Sequence, residues 1–224
     1  PKVMLPIAGK PLLRHIVDKL KKRGIDDITV VAGYKAETID VQGVKLLLNT
    51  QFATTGELSS LACAQDAFSD DMVVIYGDVL FRSYILRDLV ESDAAVMVVV
   101  DSNEPDGGSN ADYAYCSERD DRSTWGQSVR QRHISAMSQD EGRAADGRWI
   151  GMVRFRGEGR HWLNEALEVL QARPDFAQLG LPELLNHLVT SGKPVHVWYV
   201  HGHWMDVNSA RDLEHAGNFA PGSN

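Results

Sequence analysis

Three aspartates stand where a carboxylate could do chemistry. Asp78 follows the apolar run Met72–Tyr76 through Gly77, Asp101 directly follows Ala94–Val100, and Asp206 comes shortly after Val195–Val200. In open parallel sheets, ligands bind beyond the carboxyl ends of the strands. Two aspartates from different strand ends can share a hard cation such as Mg²⁺, which takes oxygen ligands and keeps waters for a phosphate substrate. Each aspartate alone is equally a turn or cap residue. Lys2 and Lys10 flank a short loop before a helix pattern, where a lysine neutralises phosphate charge or is simply solvated. His201-Gly202-His203, with His196 and Asp206, suggests a transition-metal site, but the spacing fits packing and hydrogen bonding near a cleft better. The sequence contains no Walker A loop, GxGxxG, GxSxG or CxxC. Cys63 falls inside an apolar helix pattern and is expected in the core.

The elements that must carry these residues alternate. Leu12, Leu13, Ile16, Val17 and Leu20 recur at helical spacing, with lysines in the last turns and Gly24 as the stop. Strands are predicted at Ile28–Ala32, Val44–Leu48, Met72–Tyr76, Ala94–Val100, Trp149–Phe155 and Val195–Val200. Helices are predicted near Lys35–Ile39, Ser59–Ala67, Tyr84–Glu91, His161–Ala172, Leu181–Ser191 and Ser209–Phe219, the last with a capping-box spacing from Ser209 to Asp212. Continuous apolar strands alternating with helices predict a mainly parallel sheet covered on both faces. Asp101 to Arg132 is polar and irregular and reads as an inserted flap, with short antiparallel strands at Asp112–Tyr115 and Ser128–His133. The expectation is one domain over residues 1–224.

Composition removes other classes. Apolar residues are 43% and charged residues 24% of 224, so a folded globular chain is expected. The formal charge of −8 has no basic cluster against it, which argues against a nucleic-acid partner. No apolar run reaches a membrane span. Two cysteines point to a reducing, cytoplasmic setting rather than a disulfide scaffold. The opening Pro1-Lys2-Val3-Met4-Leu5-Pro6 lacks a signal-peptide layout and starts inside an element, so residues upstream of Pro1 are expected in the natural protein.

Longer motifs carry a resemblance. Pro1-Lys2-Val3-Met4-Leu5-Pro6-Ile7-Ala8-Gly9-Lys10-Pro11-Leu12-Leu13, continued by Gly24-Ile25-Asp26-Asp27-Ile28-Thr29-Val30-Val31-Ala32-Gly33-Tyr34, resembles the second block of nucleotidyltransferases that make nucleotide sugars and CDP-alcohols. Asn49 with Phe52–Leu61 resembles the phosphocholine and phosphonate cytidylyltransferase branch. Tyr76–Phe81, Ala111–Tyr113, Trp149–Gly151 and His201–Val207 resemble the cytidylyltransferase domains often fused to phosphoenolpyruvate mutase. The resemblance implies a Rossmann-like α/β/α sandwich of the nucleotide-diphospho-sugar transferase type. It implies transfer of CMP from CTP to 2-aminoethylphosphonate or 2-hydroxyethylphosphonate, releasing pyrophosphate, in phosphonate biosynthesis.

It further implies that Lys2 contacts substrate phosphate, that Asp78 and Asp206 bind Mg²⁺, and that Thr55, Gly56, Glu57, Ser59 and Ser60 hold the pyrimidine and ribose. Asp112 and Tyr113 lie where the acceptor approaches, Asp112 and Glu57 are candidates to pair an amine, and Trp149 with Trp204 would form an aromatic wall for a cation. A homodimer is implied by relatives, though no exposed apolar stripe in the sequence establishes one. The family's first block, a strand and Gly-rich loop ending in Arg, is not in this sequence. Alternatives are a sugar-1-phosphate or phosphocholine nucleotidyltransferase and, from another class, a non-catalytic nucleotide-binding domain.

Overall fold

A computed structural model describes residues 1–103, 111–120, 132–139, 144–208 and 210–219. After a short hairpin, β1 (Pro6–Ile7) and β2 (Lys10–Pro11), helix α1 covers Leu12–Lys22 and buries Leu12, Leu13, Ile16, Val17 and Leu20. A parallel pair follows, β3 (Thr29–Ala32) and β4 (Lys45–Leu48), joined through a single 3₁₀ turn at Ala36–Thr38. Then come α2 (Glu57–Cys63), β5 (Asp71–Ile75), β6 (Val79–Phe81), α3 (Ser83–Glu91) and β7 (Val96–Asp101). The second half holds β8 (Tyr113–Cys116), β9 (Ile134–Ser138), β10 (Gly147–Arg156), α4 (Glu158–Gln171), α5 (Leu181–Thr190), β11 (His196–Val200), β12 (Trp204–Asp206) and α6 (Ala210–Phe219).

The main sheet is mixed, and its order is β11-β7-β10-β8-β9, with β5 also on β10. β11 is parallel to β7, while β5 and β7 both pair antiparallel to β10, so β5, β7 and β11 run the same way. This is the expected α/β sandwich, with one long strand reversed. β10 is shared along its length. Its second half lies between β5 and β7, and its first half between β7 and β8, with an irregularity between Trp149 and Val153. Gly151 sits in that irregularity at φ +74°, where a Cβ would meet the Tyr76 ring at 2.5 Å. A bulge of this kind re-aims a strand next to a site.

The core forms two layers. Leu58, Val96, Val98, Phe155, Leu163, Leu185 and their neighbours fill the face under α2, α4 and α5. Val17, Phe81, Leu86, Met97, Val99 and Met152 fill the face under α1 and α3. β7 is buried along its whole length because both of its faces are covered and both edges are paired. β3 and β5 each pair along one edge among the described residues, and their residues are largely half-buried.

Several expectations change here. β6 and β12, which the apolar pattern did not mark, form an antiparallel pair. The second flap strand begins at Ile134, later than the predicted Ser128–His133. His133 makes only an isolated bridge to His196, and residues 128–131 lie outside the described set. Cys63 is exposed, because α2 ends at that residue with its apolar face already used by Leu58 and Leu61. Ser209 lies outside the described residues, while the Asp212 carboxylate accepts from the Asn208 N–H at 2.9 Å.

Candidate active site

The carboxyl ends of β5, β7 and β11 meet at one edge. β5 leads through Tyr76 and Gly77 to Asp78, and β6 then pairs with β12 in the register Val79↔Asp206, Leu80↔Met205, Phe81↔Trp204. The Val207 N–H donates to the Asp78 carbonyl at 2.9 Å, which closes the pair at its end. Two aspartates 128 positions apart in sequence are thereby set side by side. Each holds a cation. Lys2 Nζ lies 2.8 Å from Asp78 Oδ2 and 2.5 Å from Asn208 Oδ1. Arg148 donates to Asp206 and lies over the Trp204 ring, Cζ 4.9 Å from its centroid.

Burial pushes the Asp206 carboxyl above the usual carboxylate range, and the Asp78 charge adds to this against the pull of Arg148 and Lys2. An ionised Asp206 is therefore held at some expense, which a nearby cation relieves. Asp101 serves a different purpose. It is fully buried, and its Oδ2 accepts from Gly202 N–H at 3.0 Å and Trp204 Nε1–H at 2.6 Å, while Oδ1 accepts from Asn103 N–H at 2.8 Å. The carboxylate fastens the turn between β11 and β12, where Gly202 and His203 both adopt left-handed conformations (φ +74° and +66°).

The segment 55–60 is organised by buried Asn49. Its amide donates to Thr55 Oγ1 at 2.9 Å and to Ser60 Oγ at 3.1 Å. Gly56 N–H donates to the Ala177 carbonyl at 2.8 Å, and a Cβ at Gly56 would meet the Leu179 carbonyl at 2.5 Å, so a glycine is required for this approach. Ser59 is half-buried and Glu57 is exposed at the first position of α2.

A second polar group lies across Tyr76. Burial raises the Asp112 carboxyl, which accepts from Gln139 at 3.0 Å and feels Glu57 and Glu183 as like charges and Arg148 as an opposite one. The Tyr76 hydroxyl is pushed well up by burial and then by Asp112, Glu57, Asp78 and Glu183. Tyr76 thus stands between the Asp78 side and the Asp112 side.

Other expected residues do not join. Tyr113 and Trp149 are each 2% exposed. Tyr113 packs with Ala111 and Tyr115, and the Trp149 indole donates to the Met152 carbonyl at 2.9 Å within the core. These rings build the floor rather than an open aromatic wall, because both sit on inward-facing positions of their strands. Lys10 is engaged by Asp18 at 2.6 Å. The histidines separate: His201 Nε2 lies 2.5 Å from Asp120 Oδ2, His203 Nδ1 lies 3.0 Å from the Tyr84 hydroxyl, and His196 stacks edge-on with His133. Among the described residues no group of three or more His, Cys, Asp or Glu could hold a metal ion. Arg148, Asn208 and Glu183 escaped the sequence reading. Gly151 inside an otherwise apolar strand was the signal pointing at Arg148.

The sequence matches the family model described as MobA-like NTP transferase domain over residues 1–203. The chain belongs to that family. This MobA-like chain is 23% identical over 97% of its length to the bifunctional protein GlmU of Methanococcus maripaludis, of which it spans 49%. It is 29% identical, over 41% of its length and 42% of the relative's, to the choline-phosphate cytidylyltransferase of Streptococcus pneumoniae. Its fold is similar to the CTP:phosphocholine cytidylyltransferase from S. pneumoniae (TM-score 0.74, 18% identity, 97% of this chain and 89% of that one). It is also similar to the inositol-1-phosphate CTP transferase from T. maritima (TM-score 0.73, 14% identity, 100% and 89%). Among the described residues no helix is long and apolar enough to cross a membrane.

Proposed function

We propose that this chain is a nucleotidyltransferase that moves CMP from CTP to the phosphoryl oxygen of a small phosphonate, 2-aminoethylphosphonate or 2-hydroxyethylphosphonate. The observation that carries the reading is the β6–β12 pairing, which sets Asp78 beside Asp206 with Lys2 on the first and Arg148 on the second. The acceptor oxygen forms a bond to the α-phosphorus of CTP, the bond from that phosphorus to the bridging oxygen breaks, and pyrophosphate leaves with the electron pair. No covalent intermediate on the protein is needed, so the chain's work is positioning and charge neutralisation. Lys2 neutralises the phosphoryl oxygens, with Asn208 directing its ammonium. The segment 55–60, braced by Asn49, faces the pyrimidine and ribose. Asp101 fixes the turn that delivers Asp206.

The donor set fits Mg²⁺: two hard carboxylates, with a buried charge on Asp206 that a cation relieves. Asp78 and Asp206 would hold it, and when bound it supplies charge stabilisation at the phosphates.

The grouping of Asp112, Glu57 and Glu183 near Tyr76 favours an acceptor with an ammonium tail, hence aminoethylphosphonate over hydroxyethylphosphonate. Phosphocholine fits the same charges, and the likeness to GlmU supports a sugar-1-phosphate as the other reading. The test is pyrophosphate release by the full-length protein with CTP and Mg²⁺, comparing the two phosphonates, phosphocholine and glucose 1-phosphate. Release with aminoethylphosphonate is expected. Release with glucose 1-phosphate alone would move the assignment to sugar transfer, and release with none from folded protein would leave a nucleotide-binding domain.

A further inference from the structure

We propose that Arg148 is the residue that receives the acceptor's phosphoryl group, and that its bond to Asp206 is the resting half of an exchange of partners. The inference rests on the transfer reaction proposed above. Four observations carry it. Arg148 lies at the start of β10, directly opposite Asp101 on β7 and Tyr113 on β8, so its side chain rises at the edge where Asp78, Asp101 and Asp206 meet. Its guanidinium is held between the Asp206 carboxylate and the Trp204 ring. It is within electrostatic reach of Asp112, on the side where the acceptor's tail would lie. The Arg148 and Asp206 side chains are 17% and 20% exposed, whereas Lys2 is 42% exposed.

The two cations are therefore not interchangeable. Lys2 is a point charge on a mobile stem, suited to following charge as it moves. Arg148 is a planar fork fixed by an aromatic face, suited to gripping two phosphoryl oxygens at a set angle. When Asp206 turns to a hard cation, a guanidinium this enclosed is left without its anion, which is strongly unfavourable. An acceptor phosphoryl group between Arg148 and the α-phosphorus answers that charge. The same exchange keeps the site neutral and closed until substrate arrives.

The competing account is a permanent structural pair, and the two accounts diverge in metal-free protein. Calorimetric titration with methylphosphonate, an anion without a tail, reads the contact directly. Asp206→Asn frees Arg148 and is expected to tighten methylphosphonate binding by about tenfold, the scale of one charge-assisted contact. The double variant with Arg148→Gln should lose that gain. If the double variant keeps it, the gain is a general effect of charge and the proposal is wrong. In turnover, Arg148→Lys keeps the positive charge over Trp204 but loses the fork. It should raise the acceptor KM about tenfold and leave the CTP KM within about twofold. Equal movement of both KM values, or of neither, would overturn the assignment. Arg148-dependent methylphosphonate binding without any turnover would instead defeat the transfer reaction and leave this contact standing. Normal turnover with Arg148→Lys indistinguishable from wild type would do the reverse.

Discussion

Asp101→Asn should loosen the turn that carries Asp206, and its size can be worked bond by bond. The carboxylate accepts three donors: Asn103 N–H at one oxygen, Gly202 N–H and Trp204 Nε1–H at the other. An asparagine has one acceptor oxygen. Its best orientation keeps that oxygen on Gly202 and Trp204 and turns the amide NH₂ against the Asn103 N–H. One buried donor is then orphaned, at about 1–3 kcal/mol, and two bonds fall from charge-assisted to neutral, at about 1 kcal/mol together. Removing a fully buried charge returns part of this. The net expectation is a loss of about 2 kcal/mol for Asp101→Asn, and about 3–5 kcal/mol for Asp101→Ala, which orphans all three donors.

The measurement is urea unfolding followed by circular dichroism and by tryptophan fluorescence, since Trp204 loses a bond directly. Turnover should fall further than stability alone explains, because Asp206 follows Trp204 by two residues and a shift near 1 Å at a reacting group lowers rate about a hundredfold. Stability within about 0.5 kcal/mol of wild type, with unchanged turnover, would refute the claim that this carboxylate fastens the site.

Asp78→Asn and Asp206→Asn should each lower kcat by about a hundredfold or more with the fold intact by circular dichroism, and near wild-type turnover would remove that residue from the mechanism. Arg154 is 3% exposed and bonded to Asp71 at 2.7 and 2.6 Å and to the Ser92 carbonyl at 2.5 Å. Arg154→Ala should destabilise by about 3–5 kcal/mol, and Arg154→Met, which refills the volume, by less; urea midpoints test the order. Asp112 has a raised carboxyl, so the folded state holds its proton longer than the unfolded chain. Its ionisation therefore removes stability as pH rises from the ordinary carboxylate value through the raised one, and that loss persists above. Asp112→Asn should be more stable than wild type at pH 7 and equal to it at about pH 3, where both states are protonated, while binding of an amine-bearing acceptor weakens. Equal midpoints at both pH values would contradict this.

The α/β alternation was legible because strands such as Val96–Asp101 are covered on both faces and so carry unbroken apolar runs. Asp78 and Asp206 were legible as strand-end aspartates, and Lys2 through its motif. What the pattern hid was pairing. Val79–Phe81 and Trp204–Asp206 are three-residue strands, too short for a period, yet their ladder puts the two carboxylates together. Tyr113 and Trp149 were placed at the site by neighbouring motif residues, but strand alternation turned both rings inward. Cys63 followed the apolar period to its last residue, where the helix stops and no partner covers it. Arg148 has no local signature. Its significance comes from the strand opposite.

That last point explains how a largely parallel sheet builds a charge-balanced site. β5, β7 and β11 all deliver their carboxyl ends to one edge, and those ends supply Asp78, Asp101 and, through the β11–β12 turn, Asp206. Strands running one way can bring only their ends there, and these ends are acidic. β10 runs the other way, so its beginning arrives at the same edge, with Arg148 level with Asp101. The reversed strand is what brings a fixed cation from within the sheet to a cluster of carboxylates. Lys2 reaches it from outside the sheet, on a short turn ahead of β1, and is correspondingly more exposed. The bulge around Gly151 lets one strand serve both tasks: beyond it, Met152, Val153 and Phe155 fill the core between β5 and β7, and before it, Arg148 is free to face the site.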